Sequence, residues 1–350
     1  MTRHTHTIGA LLVLAALGTA TGRCATPSTV DRTDVRQEAA TGGLAATVGR
    51  LGAANRGPIW IAWEVAATPA LRAACCFDRS FRGAVCHLEG RDHNWGSNGR
   101  ERGTGRMQVL ARWSDGKIGR VRAFDAGCDV DPSPVPLVRL TGVAPAESVA
   151  LVAGLVGRGG RKHDVDDPLA ALAYQADPSA EGALERFAAA GQPEEQREQA
   201  LFWIGQARGE EGARFLATVV RNDPDGDIRK KAVFSLSQSE APSAVPTIVT
   251  VAKHDTDPDV RADALFWLAQ TGDDGAPQVL LEALDHDPSH EVRQKAIFAM
   301  SQLEHHQGVP LLVRVVRERR DPELRREALF WLGQSEDPRA LDFLEKLLSQ

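Results

Sequence analysis

EQREQALFWIGQ (195–206), DIRKKAVFSLSQ (227–238), DVRADALFWLAQ (259–270), EVRQKAIFAMSQ (291–302) and ELRREALFWLGQ (323–334) follow one another at a constant step of 32 residues. Four residue types recur in register. They are Arg (197, 229, 261, 293, 325), Ala (200, 232, 264, 296, 328), Phe (202, 234, 266, 298, 330) and Gln (206, 238, 270, 302, 334). Repetition at this period marks a stacked array, in which neighbours bury what one unit cannot bury alone.

Each unit reads as two antiparallel helices, A and B. Helix A is expected to begin after Asp223-Pro224, Asp257-Pro258, Asp287-Pro288 and Asp321-Pro322. Asp accepts from orphan amides at a helix start, and proline fits the first helical position because its missing N–H costs nothing there. A polar turn such as 271–275 closes helix A, and helix B follows, as in 277–284 or 338–348.

The units resemble HEAT repeats, in particular the short HEAT-like repeats named after phycobilisome lyases. The resemblance rests on the Asp-Pro starts, on the apolar-Arg pairs at 228–229, 260–261, 292–293 and 324–325, and on the Ala-apolar step three residues later. The first unit departs from it with Gln196-Arg197. A degenerate unit from Asp167-Pro168 to Gly191 extends the array upstream. The resemblance implies a mainly α fold, a right-handed solenoid with helix A on the convex side and helix B on the concave side. It implies protein binding more often than catalysis, and a repeated Arg paired with Asp groups of adjoining units.

On a helical wheel started at Val260, Ala264, Leu265, Trp267 and Leu268 form the buried stripe. At about 100° per residue, Phe266 and Gln270 fall near 240° and 280°, on the opposite flank. The resembled family usually places polar residues there. Phe202, Phe234, Phe266, Phe298 and Phe330, with Gln206, Gln238, Gln270, Gln302 and Gln334, would then line one edge of the array. An apolar strip of that length is a candidate protein-binding surface; the bland alternative is that each Phe serves only stacking between units. Trp203, Trp267 and Trp331 alternate with Ser235 and Ala299, a superperiod of 64 residues, and are expected to fill the core.

The N-terminal half has another character. Residues 1–20 read as an export signal, with Arg3 followed by the apolar run 8–17, too short for a membrane span of about 20 residues. A lipid anchor at Cys24 is disfavoured because Arg23 stands where lipoprotein signals carry small residues. We expect a poorly structured linker over 21–57, a small β-containing domain over 58–156, a linker over 157–162 and the solenoid over 163–350. Ile59–Ala66 alternates in part as a strand does, Asp115-Gly116 sits between two apolar runs as a hairpin turn does, and 146–156 reads as a short apolar helix. Cys75, Cys76, Cys86 and Cys128 all lie in this half, and an oxidising compartment favours disulfides between them. Adjacent cysteines bridge poorly. Two connectivities stay open: 75–86 with 76–128, or 75–128 with 76–86.

The net charge is −6, and residues 193–350 hold 19 Lys and Arg against 28 Asp and Glu, a net of −9. Such a surface repels phosphate backbones, so nucleic acid is not an expected partner. No nucleophile elbow, HExxH, phosphate-binding loop or dinucleotide fingerprint occurs. The expectation is an exported, periplasmic or extracellular, non-catalytic scaffold without cofactor or metal that binds another protein, such as an envelope component. Two rivals stand beside it: a bilin-lyase-like activity suggested by the name of the resembled repeats, and a redox or metal-sensing domain using Cys75, Cys76, Cys86, His87, His93 and Cys128.

Overall fold

A computed structural model describes residues 35–350 except 72–73, 77–84, 91–94, 98–102, 159–161, 305–306 and 350. The expected export signal and Cys24 lie outside the described residues. The N-terminal part is built on a five-stranded sheet in the order β1 (Arg36–Ala39), β9 (Leu137–Thr141), β2 (Ile59–Ala66), β6 (Arg106–Ser114), β7 (Lys117–Asp125). β1–β9 and β9–β2 are parallel, whereas β2–β6 and β6–β7 are antiparallel. The β6–β7 turn is Asp115-Gly116, both at positive φ, the conformation that a two-residue hairpin demands and that Asp-Gly tolerates. Five of the eight β2 residues, Ile59 to Trp63, are buried without a break, because both faces of this central strand are covered.

One face is covered by α1 (Leu44–Ala54) and α2 (Pro145–Ala153). This corrects the expected linker over 21–57: residues 36–54 form a strand and a helix of the domain itself. Leu44, Val48 and Leu51 recur at helical spacing and are buried against the sheet. The Ala/Gly-rich composition conceals that stripe. Gly52 is required, since a Cβ there would lie 2.2 Å from the Trp113 ring.

The other face carries a second cluster with Trp60, Leu110 and Phe124 around Cys75, Cys86 and Cys128. Cys75 and Cys128 form a disulfide with Cα atoms 5.5 Å apart. The connectivity 75–86 with 76–128 is thereby excluded. Cys86 is buried in the same cluster, and the Cys76 side chain lies outside the described residues. Short pairs, β3 (Ala74–Cys76) with β5 (Trp95–Ser97) and β4 (Val85–His87) with β8 (Asp129–Asp131), bring the cysteine segments together.

Among the described residues twelve consecutive α-helices follow: α3 (Lys162–Ala173), α4 (Pro178–Ala188), α5 (Glu194–Ala207), α6 (Gly209–Asn222), α7 (Gly226–Ser237), α8 (Ala244–His254), α9 (Pro258–Ala269), α10 (Ala276–His286), α11 (His290–Ser301), α12 (Gly308–Glu318), α13 (Pro322–Gln334) and α14 (Pro338–Leu348). Odd-numbered members are the A helices, and each touches the next A helix in the series from α3 to α13. A helices are buried over a wide arc for that reason, while the B helices are amphipathic. A small residue at one B position, Gly212, Ala244, Ala276, Gly308 and Ala340, is buried in every unit. At Gly212 and Gly308 a Cβ would lie 2.5 and 1.9 Å from carbonyl oxygens of the unit's own A helix, so this position sets how closely the pair packs.

Two of the four expected helix starts hold, at Asp257-Pro258 and Asp321-Pro322, where Asp accepts from the amide two residues on. In the other two units the cap lies two residues later, at Asp225 and Ser289. Likewise α3 runs through Pro168 instead of starting there. The reason at Asp223 and Asp287 is that these carboxylates have another task.

Arg229 donates from Nε and Nη2 to both oxygens of Asp255, at 3.0 and 2.9 Å, and from Nη1 to the Asp223 carbonyl at 3.0 Å. Arg261 repeats this with Asp287 at 2.8 and 2.9 Å and the Asp255 carbonyl at 2.8 Å. Arg197 pairs with Asp223. Each guanidinium therefore joins the turn that enters its unit to the turn that leaves it. The series stops at Arg293, which keeps the carbonyl of Asp287 at 2.7 Å, because Arg319 occupies the sequence position of the next Asp.

The sheet and the array are stitched directly. Ala67 bridges Gln175 in antiparallel fashion, the Thr68 amide donates to the Tyr174 carbonyl at 2.8 Å, and the Ala176 amide donates to Ala66 at 3.0 Å. Arg208 clamps the carbonyls of Ala173 and Gln175 at 3.3 and 2.8 Å.

Candidate protein-binding strip

All five phenylalanines sit on A helices, four residues before the glutamine at or near the helix end. Gln238, Gln270 and Gln302 are the C-cap residues of α7, α9 and α11. Gln238, Gln270 and Gln334 are exposed, Gln206 and Gln302 half-buried. Phe202, Phe234, Phe266 and Phe298 are half-buried, while Phe330 is 54% exposed. The residues singled out in the sequence therefore do share one edge of the array.

The rings form a continuous series. Phe202 stacks on Phe234 with centroids 6.0 Å apart and planes 12° from parallel, and Phe266 stacks on Phe298 at 5.6 Å and 2°. Between these pairs stand the indoles: Trp267 lies 4.6 Å from Phe234 and Trp331 lies 4.8 Å from Phe298. Each Trp also meets the Phe beside it in an edge-on contact near 5 Å. Tyr174 joins the upstream end at 6.0 Å from Trp203, and burial pushes its hydroxyl pKa up to about 12. Edge-on and offset contacts at these distances are the favourable geometries for aromatic pairs.

The indoles stand at the rim of the core: they are half-buried, packed against it, and lean onto the preceding unit, while Ser235 and Ala299, both buried, hold the same register at the intervening steps. Two kinds of step result. At the Trp-filled steps an indole lies against a ring of the preceding unit. At the tight step between α5 and α7, Gly205 lies against Ser235 so closely that a Cβ would fall 2.3 Å from the Ser235 carbonyl oxygen. The superperiod of 64 residues is the alternation of these steps.

Polar groups edge the series. The Trp267 indole donates to Asp263 at 3.0 Å and the Trp331 indole to Glu327 at 2.7 Å. Burial raises the Asp263 carboxyl above the ordinary Asp range, opposed by that indole and by Lys230 and Lys231. Lys231 lies 3.4 Å from Glu198 of the preceding A helix. The strip thus offers ring edges, carboxamides and charges of both signs in a repeating order.

Elsewhere, a cleft of about 480 Å³ opens where the hairpin meets α1, α2 and Pro168. Its walls include Val48, Trp113 and Leu155, with Lys117, Arg120 and Arg158 and a single lining carboxylate, Asp167. His87 pairs with Asp131 at 2.9 Å, and His93 lies outside the described residues. Among the described residues no group of three or more His, Cys, Asp or Glu side chains is placed to hold a metal ion. No described helix is long and apolar enough to cross a membrane.

Helix pairs in single file, each closed on the next through its A helix, define an α-helical repeat protein. Residues 180–269, 213–301 and 277–350 match the family model of HEAT repeats, and the array belongs to that family. No curated protein matches the chain. Solved structures that share similarity with it include these three. One is the Escherichia coli protein YibA, at 20% identity over 59% of this chain and 79% of that one, with a TM-score of 0.37. The complex of CpcE and CpcF of phycocyanin lyase from Nostoc follows, at 20% identity over 60% and 88%, TM-score 0.30. Human deoxyhypusine hydroxylase in complex with glycerol matches at 19% identity over 57% and 77%, TM-score 0.25.

Proposed function

We propose that the protein is a non-catalytic, exported scaffold that binds another protein along the A-helix edge of its HEAT array. The observation that carries this reading is the unbroken series of half-exposed rings, from Trp203 to Phe330, bordered by a glutamine in every unit. Half-buried aromatics are held rigidly by their neighbours, so a partner gains apolar contact without paying much side-chain entropy. The glutamines supply donors and acceptors at the same repeat. HEAT-family membership supports a binding role, and the Cys75–Cys128 disulfide agrees with export.

A photo-crosslinking residue at Gln270 tests the strip without disturbing the rings. The reading requires an adduct with one specific envelope protein that is not formed from Asp342, which is exposed on the last B helix. Equal labelling from both positions removes the strip from the argument. The lyase-like rival is tested by absorbance titration with a bilin, where a red-shifted bound spectrum would favour it.

A further inference from the structure

The cleft of about 480 Å³ beside the hairpin is separate from the aromatic strip and has its own chemistry. Val48, Val121 and Pro168 are buried lining residues, and Trp113, Leu151 and Leu155 are half-buried walls. The volume falls within the range of small-molecule clefts, which combine apolar walls with a few polar groups in fixed positions. Here those groups are mostly of one sign. Lys117 and Arg158 are exposed at the rim. Half-buried Arg120 is held by two backbone carbonyls, with Nη1 donating to Leu88 at 3.2 Å and Nη2 to Gly90 at 3.1 Å. Carbonyls fix a guanidinium in place but leave its charge standing. Arg122 donates to the same Gly90 oxygen at 2.9 Å, which sets a second cation beside the first. Burial and the charge of Arg122 push Arg120 below its ordinary range, against the pull of Asp167 and Glu89.

Three lining cations thus stand against Asp167, the one lining carboxylate among the described residues, in a chain whose net charge is −6. We propose that this cleft binds a small amphipathic monoanion, an alkyl or aryl carboxylate, with its apolar body between α1, α2 and the hairpin and its carboxylate meeting Arg158 and Lys117 at the rim. Arg120 adds a fixed positive potential that selects an anion over a neutral or cationic molecule of the same shape, because low-dielectric walls focus the field of a charge. Burial of the apolar body supplies affinity, and the cations set its orientation. The lining residues come from α1, α2, β7 and, through Pro168, the first helix of the array, so an occupied cleft touches both sides of the sheet–array junction.

Isothermal titration of the full chain with decanoate and with 2-naphthoate, and with decylamine as the cationic counterpart, reads the outcome. The proposal expects saturable binding of one molecule per chain for at least one carboxylate, about tenfold or more tighter than decylamine. Two substitutions at exposed lining positions report separately on charge and on space. R158E reverses the charge at the rim, and A45W sets an indole over the cleft one turn before Val48. Each should weaken the carboxylate by about tenfold or more, while circular dichroism melts show both variants folded. Absence of saturable binding by either carboxylate, equal binding of decylamine, or native affinity in either folded variant overturns the proposal.

Discussion

Arg261 joins three pieces of chain with one side chain: its own helix, the turn before it and the turn after it. The guanidinium and the Asp287 carboxylate are 9% and 6% exposed, so removing one partner strands a buried charge. Arg261→Ala is expected to cost about 3 kcal/mol in denaturant unfolding, whereas Arg325→Ala, at an exposed and unclasped position, stays within about 0.5 kcal/mol. The pH dependence follows the same geometry. Burial by itself would raise the Asp287 carboxyl, but the Arg261 guanidinium, the Ser289 amide and the charge of Arg293 hold it below the ordinary Asp range. Its folded pKa lies under its unfolded one, so the contribution is complete above about pH 4 and drains away as pH falls through the depressed value. Unfolding free energy measured down that window should decline less steeply in Arg261→Ala than in the native chain.

At the level of elements, the two kinds of step between A helices predict opposite intolerances. Gly205→Ala places a methyl 2.3 Å from the Ser235 carbonyl and should lower stability by about 2 kcal/mol or more. Ser235→Trp sets an indole into that same close approach and should be worse, with the loss seen in thermal melts. The repeat itself was legible because identical units must present identical faces, which prints the period on the sequence. So were β2, the hairpin and α2, from alternation and a turn dipeptide. The start of α7 and α11 was misread because Asp-Pro serves two registers: as cap and first residue in α9 and α13, and as clasp acceptor two residues earlier in the others. α1 was missed because glycines interrupt its apolar stripe, and only the Trp113 ring explains one of them. The candidate strip was visible as a list of residues, but whether the rings faced solvent or one another was not. That depends on the size of the residue across the step, which belongs to a different unit.

For the whole molecule, the consequence of the Ala67–Gln175 seam is that sheet and array are mechanically continuous. Tryptophans report on both, Trp60 and Trp63 in the sheet and Trp203, Trp267 and Trp331 in the array. Fluorescence and far-ultraviolet dichroism should therefore trace one coincident transition. Replacing Cys75 and Cys128 by serine opens a loop with a sequence separation of 53. The lost constraint on the unfolded chain amounts to about 4 kcal/mol, measurable as a shift of the denaturation midpoint.

The alternation of wide and narrow steps gives the array a parity. Deleting residues 257–320 removes one complete wide–narrow cycle and brings Trp331 against Phe234, where Trp267 lies in the native chain. Removing 225–256 instead sets Trp267 in the place of Ser235, against Gly205. We expect the longer excision to yield a folded, shorter protein and the briefer one to melt at far lower temperature. Growth or shrinkage of this lineage would then proceed two units at a time.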